Sequence, residues 1–521
     1  MYKLNRRTFL KLLGQGTAAL GLGMGLSGKA WTQHTWGLPR ELTASDYAGP
    51  NYYDEWEFYY PGLYNEQDTK VLNKFHAELD LINKRSEVDI DDLIRGKLEG
   101  QPGIGQAVKI TAESIMQAAT CYGANNPRWT DTNYANKTKW GAMANHTVWA
   151  EGIGLPAMPK TGGIGDFMVV SNYNVSASYY KPVYEGDTLY TVVEKQHSVD
   201  ITPSHGSFYR TFTMAGRGST YNQKGELVHE GAFIITESFR RYKDPVKRMP
   251  NGAHIWESPN WWTRPLYIYT DEDWENIISI WKNEKIRGSK TLYWDDVNIG
   301  DEPPPRAVGP LLADEGAGFM LGLFAPAPQW SVDTKLRVLD PKTFSKMVKN
   351  KWGIYILPEN LERWNKVHAS GETIGNDGVY NSDGRATVQN SICPKYVAGM
   401  LYNWMGDDGW LQRIGWDFME LPPGFAGGVD YQKDPTRIPN IPRHLYPALF
   451  DKFPYLEKVP YMRGKRAAWH PMEGDLIICR ACVTDKYRQG NDYFVDLIFW
   501  LESLDKYLLE EGFATVKLPK R

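Results

Sequence analysis

Two stretches of the chain, EGDTLYTVV at residues 185–193 and EGDLIICRA at residues 473–481, begin alike and decide how the fold is read. In each, a Glu-Gly-Asp turn leads into a strand-like run. Glycine permits the bend and the acids cap the turn, so this element is expected to be structural. Further strand patterns follow both, with turns at residues 222–225 and 488–491. The chain is therefore expected to contain two similar halves.

A helical pattern precedes the strands in each half. It covers residues 111–122 in the first half and 396–404 in the second, where residues 397, 400, 401 and 404 are apolar. Between the halves lies a polar, proline-rich connector, about residues 240–305, with one predicted helix that begins at Thr270 and ends at Gly288. These patterns favour an α+β architecture in which a curved antiparallel sheet wraps a long helix, twice.

Length and composition agree with a globular protein of more than one domain. A chain of 521 residues exceeds one ordinary core. Its 42% hydrophobic and 23% charged residues are typical of a soluble protein. The 20 Trp and 31 Tyr indicate large apolar surfaces with polar edges, for which packing is the more common explanation.

The cysteines do not predict a redox or metal site. Four are too few for a disulfide framework in a chain of this size. Cys479 and Cys482 form a C-x-x-C inside a strand-like run, where residues three apart point to opposite faces. We expect neither a metal ion nor a cofactor.

Residues 1–30 resemble a twin-arginine export signal. Arg6 and Arg7 precede a Gly/Ala-rich apolar run, and residues 28–30 supply a small-x-small cleavage site. A membrane-anchoring helix is the alternative. No other stretch has about 18 consecutive apolar residues, so the processed protein is expected in the periplasm and not across the membrane.

Removal of the signal makes the chain more acidic. The segment holds five cations and no acid, so the formal net charge changes from −3 to −8. Nucleic acid is excluded as an expected partner, because phosphates require a basic surface.

Several segments together resemble the MaoC-like acyl dehydratase superfamily of double-hotdog proteins. They are NPRWTDTNYANKTKWGA (126–142), KPVYEGDTLY (181–190), YNQKGELV (221–228), TDEDWENIISIWKNEKIRG (270–288), YWDDVNIGDEPP (293–304) and LYNWMGDDGWLQRIGWDF (401–418). The resemblance implies an extension at 31–95, a non-catalytic hotdog domain at 96–240, a linker at 241–305 and a MaoC-type hotdog domain at 306–521.

The activity that this resemblance implies is reversible addition of water across an activated double bond, often in an acyl-CoA thioester. Acyl-CoA is a cytoplasmic compound, so the substrate of an exported relative is expected to be a small apolar unsaturated carbonyl compound. Two alternatives stay open: a non-catalytic binding protein, and an accessory protein exported with a partner. A homodimer is also compatible with the sequence.

The family's loop reads Asp-x-Asn-Pro-x-His, and its acid and imidazole transfer protons. In the first half Ala124 and Trp129 occupy those two positions, so this copy cannot work by that mechanism. In the second half the resemblance places the loop ahead of residue 396, with His368 as the candidate base and Glu372 or Glu362 as its acid partner. The helix that starts near residues 390–395 would supply backbone donors for an enolate oxygen. An apolar substrate would suit the aromatic side chains of Trp404, Trp410 and Trp416. Such side chains are more commonly part of the hydrophobic core.

Overall fold

The computed structural model describes residues 65–85, 87–121, 126–141, 167–200, 210–240, 267–311, 330–361, 393–418, 474–504 and 508–521. The predicted export signal lies outside them.

Nine helices and twelve strands are present in these ranges. The helices are α1 (Glu66–Lys84), α2 (Ile90–Ile94), α3 (Ala112–Cys121), α4 (Pro127–Thr130), α5 (Thr132–Ala135), α6 (Asp271–Asn283), α7 (Trp330–Leu339), α8 (Pro341–Phe344) and α9 (Cys393–Met405). The strands are β1 (Val108–Lys109), β2 (Phe167–Tyr179), β3 (Thr188–Asp200), β4 (Arg210–Asn222), β5 (Leu227–Arg240), β6 (Arg306–Val308), β7 (Val348–Lys349), β8 (Tyr355–Ile356), β9 (Trp410–Phe418), β10 (Ile477–Gln489), β11 (Asp492–Ser503) and β12 (Leu508–Leu518).

Ten of the strands form one antiparallel sheet in the order β1-β3-β4-β5-β2-β9-β12-β11-β10-β6. Read outward from the middle, both sides have the same order: the first long strand, then the fourth, third and second, and finally a short edge strand. Two copies of one topology are therefore joined through their first long strands. This confirms the predicted pair of similar halves and the predicted antiparallel sheet.

The junction between the halves is the pairing of β2 with β9, from Asn174 opposite Asp417 to Ser178 opposite Arg413. One hydrophobic core runs beneath it, with Ala177 and Tyr179 on the first side and Ile414 on the second. The halves share this core, so neither side buries its apolar face alone.

The two Glu-Gly-Asp turns occupy equivalent places in the sheet. Ile110 and the Gly186–Asp187 pair exchange two backbone hydrogen bonds, with N–H to carbonyl distances of 2.8 and 2.9 Å. Leu311 exchanges the same two bonds with Gly474–Asp475, both at 2.8 Å. Both glycines have positive φ, 91° and 84°, as the predicted bend requires.

The two predicted long helices are not counterparts, which corrects the sequence reading. α3 follows directly on the edge strand β1, whereas α9 lies far from β6 and ends just before β9. α9 is buried along residues 395–405, but α3 buries only one side, with Glu113 exposed. Helical periodicity detects both kinds of helix and does not separate them. Residues 142–166, between α5 and β2, lie outside the described part.

The linker helix α6 begins as predicted and ends earlier. Thr270 caps it, and Thr270 and Asp273 form a reciprocal capping box. The helix ends at Asn283 rather than near Gly288. The backbone of Glu284 is extended, and its side chain forms a buried ion pair with Arg306. Within the described residues, no helix is long and apolar enough to cross a membrane.

Candidate functional site

The first-half loop has the geometry of a packing element. The Asn126 side chain caps α4 by accepting from the Arg128 N–H at 3.0 Å, and Pro127 takes the first helical position. Trp129 is fully buried and meets the Tyr402 ring of α9 edge to face, with centroids 5.0 Å apart. Trp129 therefore joins the two halves by an aromatic contact. Ala124 lies outside the described residues.

Arg128 adds further contacts between the first-half loop and the second half. Its buried guanidinium lies 4.5 Å from the centre of the Trp140 ring and 5.6 Å from that of Tyr402, and it donates to the Asp407 carbonyl at 3.4 Å. Burial lowers the pKa of Arg128. Tyr134 donates its hydroxyl to the Asp407 carboxylate at 2.6 Å. The loop of the first half is thus bound to the residues that follow α9.

The equivalent hydrogen bonds also give a sequence register between the two halves. Ile110 and Leu311 correspond, so the copies differ by 311 − 110 = 201 residues at this point. The same difference aligns NNPRWTD (125–131) with PAPQWSV (326–332) without a gap. Pro127 then matches Pro328, and Trp129 matches Trp330.

In this register Ala325 corresponds to Ala124, and Trp330 corresponds to Trp129. Residues 312–329 lie outside the described part, and Trp330 is the first residue of α7. None of these four residues has a side chain that transfers a proton.

The predicted catalytic residues His368, Glu372 and Glu362 all lie outside the described residues and stay predictions. They belong to the segment that leads from Leu361 to Cys393, which is the first residue of α9. Their role would therefore depend on how this segment enters the helix.

A buried imidazole that the sequence reading passed over lies on β5. His229 is opposite Tyr179 of β2 and Thr220 of β4, and its ring stacks on Tyr179 with centroids 5.3 Å apart. It is 6% exposed, and within the described part of the chain neither ring nitrogen has a hydrogen-bond partner. Burial, together with the charge of Lys395 in the first turn of α9, lowers the pKa of His229 to about 3. The imidazole is therefore neutral at physiological pH.

A β-bulge brings His229 to the inner face. Leu227 pairs with Tyr221, but His229 pairs with Thr220, so Val228 is an extra residue on β5. Simple alternation from Leu227 would place His229 on the outer face. The turn at residues 222–225 is the sequence feature that could have predicted the inner position of His229. A bulge beside a hairpin turn moves the side chains that follow it to the opposite face of the sheet.

A second buried polar group holds the linker against α9. Glu284 lies 3.4 Å from Arg306 Nε, forms an ion pair with Lys335 and accepts from the Asn403 amide at 3.1 Å. Burial opposes its ionisation, but the charges of Arg306 and Lys335 prevail and lower the pKa of Glu284. Arg306 also donates to the Tyr396 carbonyl at 3.2 Å. With every member paired, this group is a structural one.

The other singled-out residues are part of the core. Trp404 and Trp410 are buried, and Trp410 donates its indole N–H to the Tyr179 carbonyl at 3.1 Å. The side chain of Trp416 lies outside the described part. Cys479 is buried on β10, and burial raises its pKa to about 12, so it holds no thiolate at neutral pH.

Comparison with known proteins gives weak likenesses. No family model matches the chain, and no curated protein matches it. A MaoC-like dehydratase structure is 14% identical and aligns over 81% of this chain and 100% of its own, with a TM-score of 0.40. A protein from Chloroflexus aurantiacus, described as a MaoC domain dehydratase, is 12% identical over 80% and 94% of the two chains, with a TM-score of 0.39. A Mycobacterium tuberculosis protein described as a double hotdog is 9% identical over 83% and 98%, also at 0.39.

Replacement of Trp129 tests whether the first loop is a packing element. We expect Trp129→Ala to reduce the free energy of unfolding by about 3–5 kcal/mol, because it leaves a cavity between the halves. Trp352→Ala, at a half-buried indole, is the control and should cost about 1–2 kcal/mol. Denaturant unfolding measures both. Equal losses in the two variants would contradict the packing role.

Asp496 lies on the sheet face opposite α9, and its ionisation makes the free energy of unfolding depend on pH. Its carboxylate accepts from Thr515 Oγ1 at 2.7 Å, and burial raises its pKa from 3.8 to about 6. The folded chain thus holds this proton more tightly than the unfolded chain. The protonated carboxyl group of Asp496 therefore stabilises the folded chain fully below pH 4. This stabilisation is lost as the pH rises through about 6.

Asp496→Asn removes this ionisation. The variant should therefore gain stability over the wild type as the pH rises from 4 to 8, by at most about 3 kcal/mol. The control is Asp492→Asn, an exposed carboxylate paired with Lys517, whose effect should stay within about 1 kcal/mol at every pH. Thermal unfolding at several pH values provides the measurement. A constant difference between Asp496→Asn and the wild type would refute the assignment.

Proposed function

We propose that this chain is a periplasmic hydratase or dehydratase that adds or removes water at the activated double bond of a small apolar carbonyl compound. The observation that carries the proposal is the junction of the halves. There Tyr179 of the first half and Tyr396 and Ile414 of the second belong to one buried apolar core. The charge of Lys395, in the first turn of α9, contributes to the low pKa of the neutral His229 imidazole on β5. A mostly apolar enclosure with few polar groups is typical of a small-molecule site.

Hydration requires a donor for the developing enolate oxygen and groups that transfer protons to and from water and carbon. The first turn of α9 offers backbone N–H groups, of which Pro394 removes one. For proton transfer we propose His368 as the base, with Glu372 or Glu362 as its acid. These three residues are in the segment that leads into α9. No metal or cofactor is part of this scheme.

A second candidate function, non-catalytic binding of the same class of ligand, is favoured by the loops. Trp129 is buried where a catalytic histidine is expected, and the 201-residue register gives Ala325 and Trp330 in the second copy. A chain that lost both pairs can still enclose a ligand. Such a protein would act alone or as an accessory subunit exported with a partner.

An isotope experiment decides between the two functions. The purified protein is offered a panel of enones and unsaturated acids in H₂¹⁸O, and mass spectrometry follows the label while calorimetry follows binding. We expect label in at least one product and its loss, by about 100-fold or more in rate, in His368→Ala. His76→Ala, an exposed histidine on α1, is the control. Saturable binding without label would establish the binding function, and full activity of His368→Ala would remove His368 from the mechanism.

The proposed export has its own test. Replacing both Arg6 and Arg7 by lysine should keep the chain in the cytoplasm and leave residues 1–30 attached, because the paired arginines are the feature that the route reads. Cell fractionation with mass determination of the N-terminus measures this. Periplasmic recovery of the double variant at the wild-type level would contradict twin-arginine export.

A further inference from the structure

A pair of aromatic rings is held in place where the linker meets the ends of β11 and β12. Trp294 of the linker and Tyr493 of β11 are in contact, with ring centroids 5.3 Å apart. Trp294 donates its backbone N–H to the Pro519 carbonyl at 2.8 Å and its indole N–H to the Phe494 carbonyl at 2.9 Å. Both rings are half-buried, so the pair is anchored to the sheet and still reaches solvent.

Three cations, Lys486, Arg488 and Lys520, lie over this pair and are called the cation cluster below. Lys486 Nζ is 4.2 Å from the centre of the Trp294 ring. Lys520 Nζ is 5.0 Å from the centre of the Tyr493 ring and 5.9 Å from that of Trp294. The guanidinium carbon of Arg488 is 5.7 Å from the centre of the Tyr493 ring. The electron-rich ring faces attract each cation, but they carry no net charge that could balance it.

The cation cluster has no counter-ion among the described residues. None of its three members forms an ion pair there, and two of them donate to backbone carbonyls instead. Neighbouring cations on the same surface are paired: Lys517 lies 3.3 Å from Asp492, and Arg521 lies 2.8 Å from Asp296. The missing ion pairs are therefore a property of the cluster and not of the surface around it.

Two further acids of this surface are engaged by the backbone. Asp485 accepts from the Lys486 N–H at 2.8 Å, and Asp295 accepts from the Arg521 N–H at 3.1 Å. Three like charges that share two touching rings repel one another, and the described residues supply no ion-pair partner to them. An anion from outside the chain would complete this arrangement.

The side chains around the cluster favour the surface of an anionic lipid bilayer. Ile299, two residues after the Val297 carbonyl that accepts from Lys486 Nζ, is 45% exposed. Tyr293 is half-buried beside Trp294. Tryptophan and tyrosine rings, basic side chains and an exposed aliphatic group together suit the boundary between water and lipid. Cations close to such a boundary are attracted to its anionic headgroups.

A single-stranded nucleic acid, another polyanion that binds aromatic residues, fits this surface less well. It binds by stacking its bases on ring faces, whereas here Lys486 and Lys520 lie over the face of Trp294. The formal net charge of −3 also repels a long polyanion that follows the chain. A bilayer interacts mainly with the charges within about 10 Å of it, so it meets the local surface.

We propose that the cation cluster and the Trp294–Tyr493 pair form a docking surface for an anionic phospholipid bilayer. The chain lies on the bilayer and does not cross it. Headgroup phosphates supply the missing counter-ions, and Ile299 enters the headgroup layer. The inference is independent of the proposed reaction and of the residues assigned to it.

Vesicle co-sedimentation of the full chain tests this surface. The vesicles consist of phosphatidylcholine alone or of an equal mixture with phosphatidylglycerol. The wild type should bind the mixed vesicles at least about tenfold more tightly, and about 0.5 M NaCl should remove this preference. Replacing all three members of the cluster by glutamine should weaken binding to mixed vesicles by about 100-fold, or about fivefold for each charge. No binding of the wild type to mixed vesicles would overturn the proposal.

Two control variants separate this surface from general charge. The triple variant Lys70→Gln, Lys137→Gln, Lys346→Gln changes three exposed lysines elsewhere and has the same net charge as the cluster variant. It should bind as the wild type does. The double variant Lys486→Arg, Lys520→Arg keeps both charges and should also bind normally. Equal losses in the two glutamine variants, or no loss in the cluster variant, would reject the docking surface.

Lysine acetylation of the wild type gives a local measurement that depends neither on the folding of a variant nor on residues 1–30. Mixed vesicles should slow the reaction of Lys486 and Lys520 with acetic anhydride at least about threefold and leave Lys70 unchanged, as followed by peptide mass spectrometry. Unchanged rates at vesicle saturation would contradict the proposal. A single-stranded oligonucleotide that protects these lysines when the vesicles do not would replace the bilayer by nucleic acid.

Discussion

The antiparallel pairing of β2 with β9 is the constraint on which the rest of the structure depends. It joins two five-stranded sets into one sheet and aligns their inner faces over one core. It also ties side chains of one half to backbone of the other, since Trp410 and Gln412 both donate to the Tyr179 carbonyl. Helix α9 of the second half also contacts the loop of the first, through Tyr402 and Trp129. Any site at the junction is therefore built from both halves.

The first-half loop is a structural element of the junction. A catalytic side chain must reach solvent or substrate, whereas Trp129 is fully buried against Tyr402. The adjacent Arg128 is surrounded by aromatic rings, and burial disfavours its charge. A residue enclosed this completely cannot exchange protons with a ligand. The same side chains that exclude catalysis stabilise the contact between the halves.

Local features of the fold were predictable from the sequence because a few neighbouring residues determine them. The Glu-Gly-Asp turns, the capping of α6 by Thr270 and the strand patterns on both sides of the sheet all belong to this class. Features that depend on distant contacts were missed. The end of α6 is decided by the pairing of Glu284 with Arg306, and the unequal roles of α3 and α9 are decided by their places relative to the edge strands.

The candidate site was harder to predict for the same reason. Locating the second loop required the equivalence of Ile110 and Leu311, which is visible only in the hydrogen bonds to the Glu-Gly-Asp turns. Finding His229 required the extra residue Val228, because one bulge moves a side chain from one face of a sheet to the other. Strict alternation of apolar and polar residues along a strand does not predict such a shift.

The polarity of the junction limits what chemistry it can support. His229 on β5 is a neutral imidazole, and it is a weak base because burial and the charge of Lys395 oppose its protonation. Trp129, in the first-half loop, is fully buried and has no group that transfers a proton. The predicted base His368 and its predicted acid partners lie outside the described residues. The choice between the proposed enzyme and the proposed binding protein therefore depends on whether these predicted residues transfer protons.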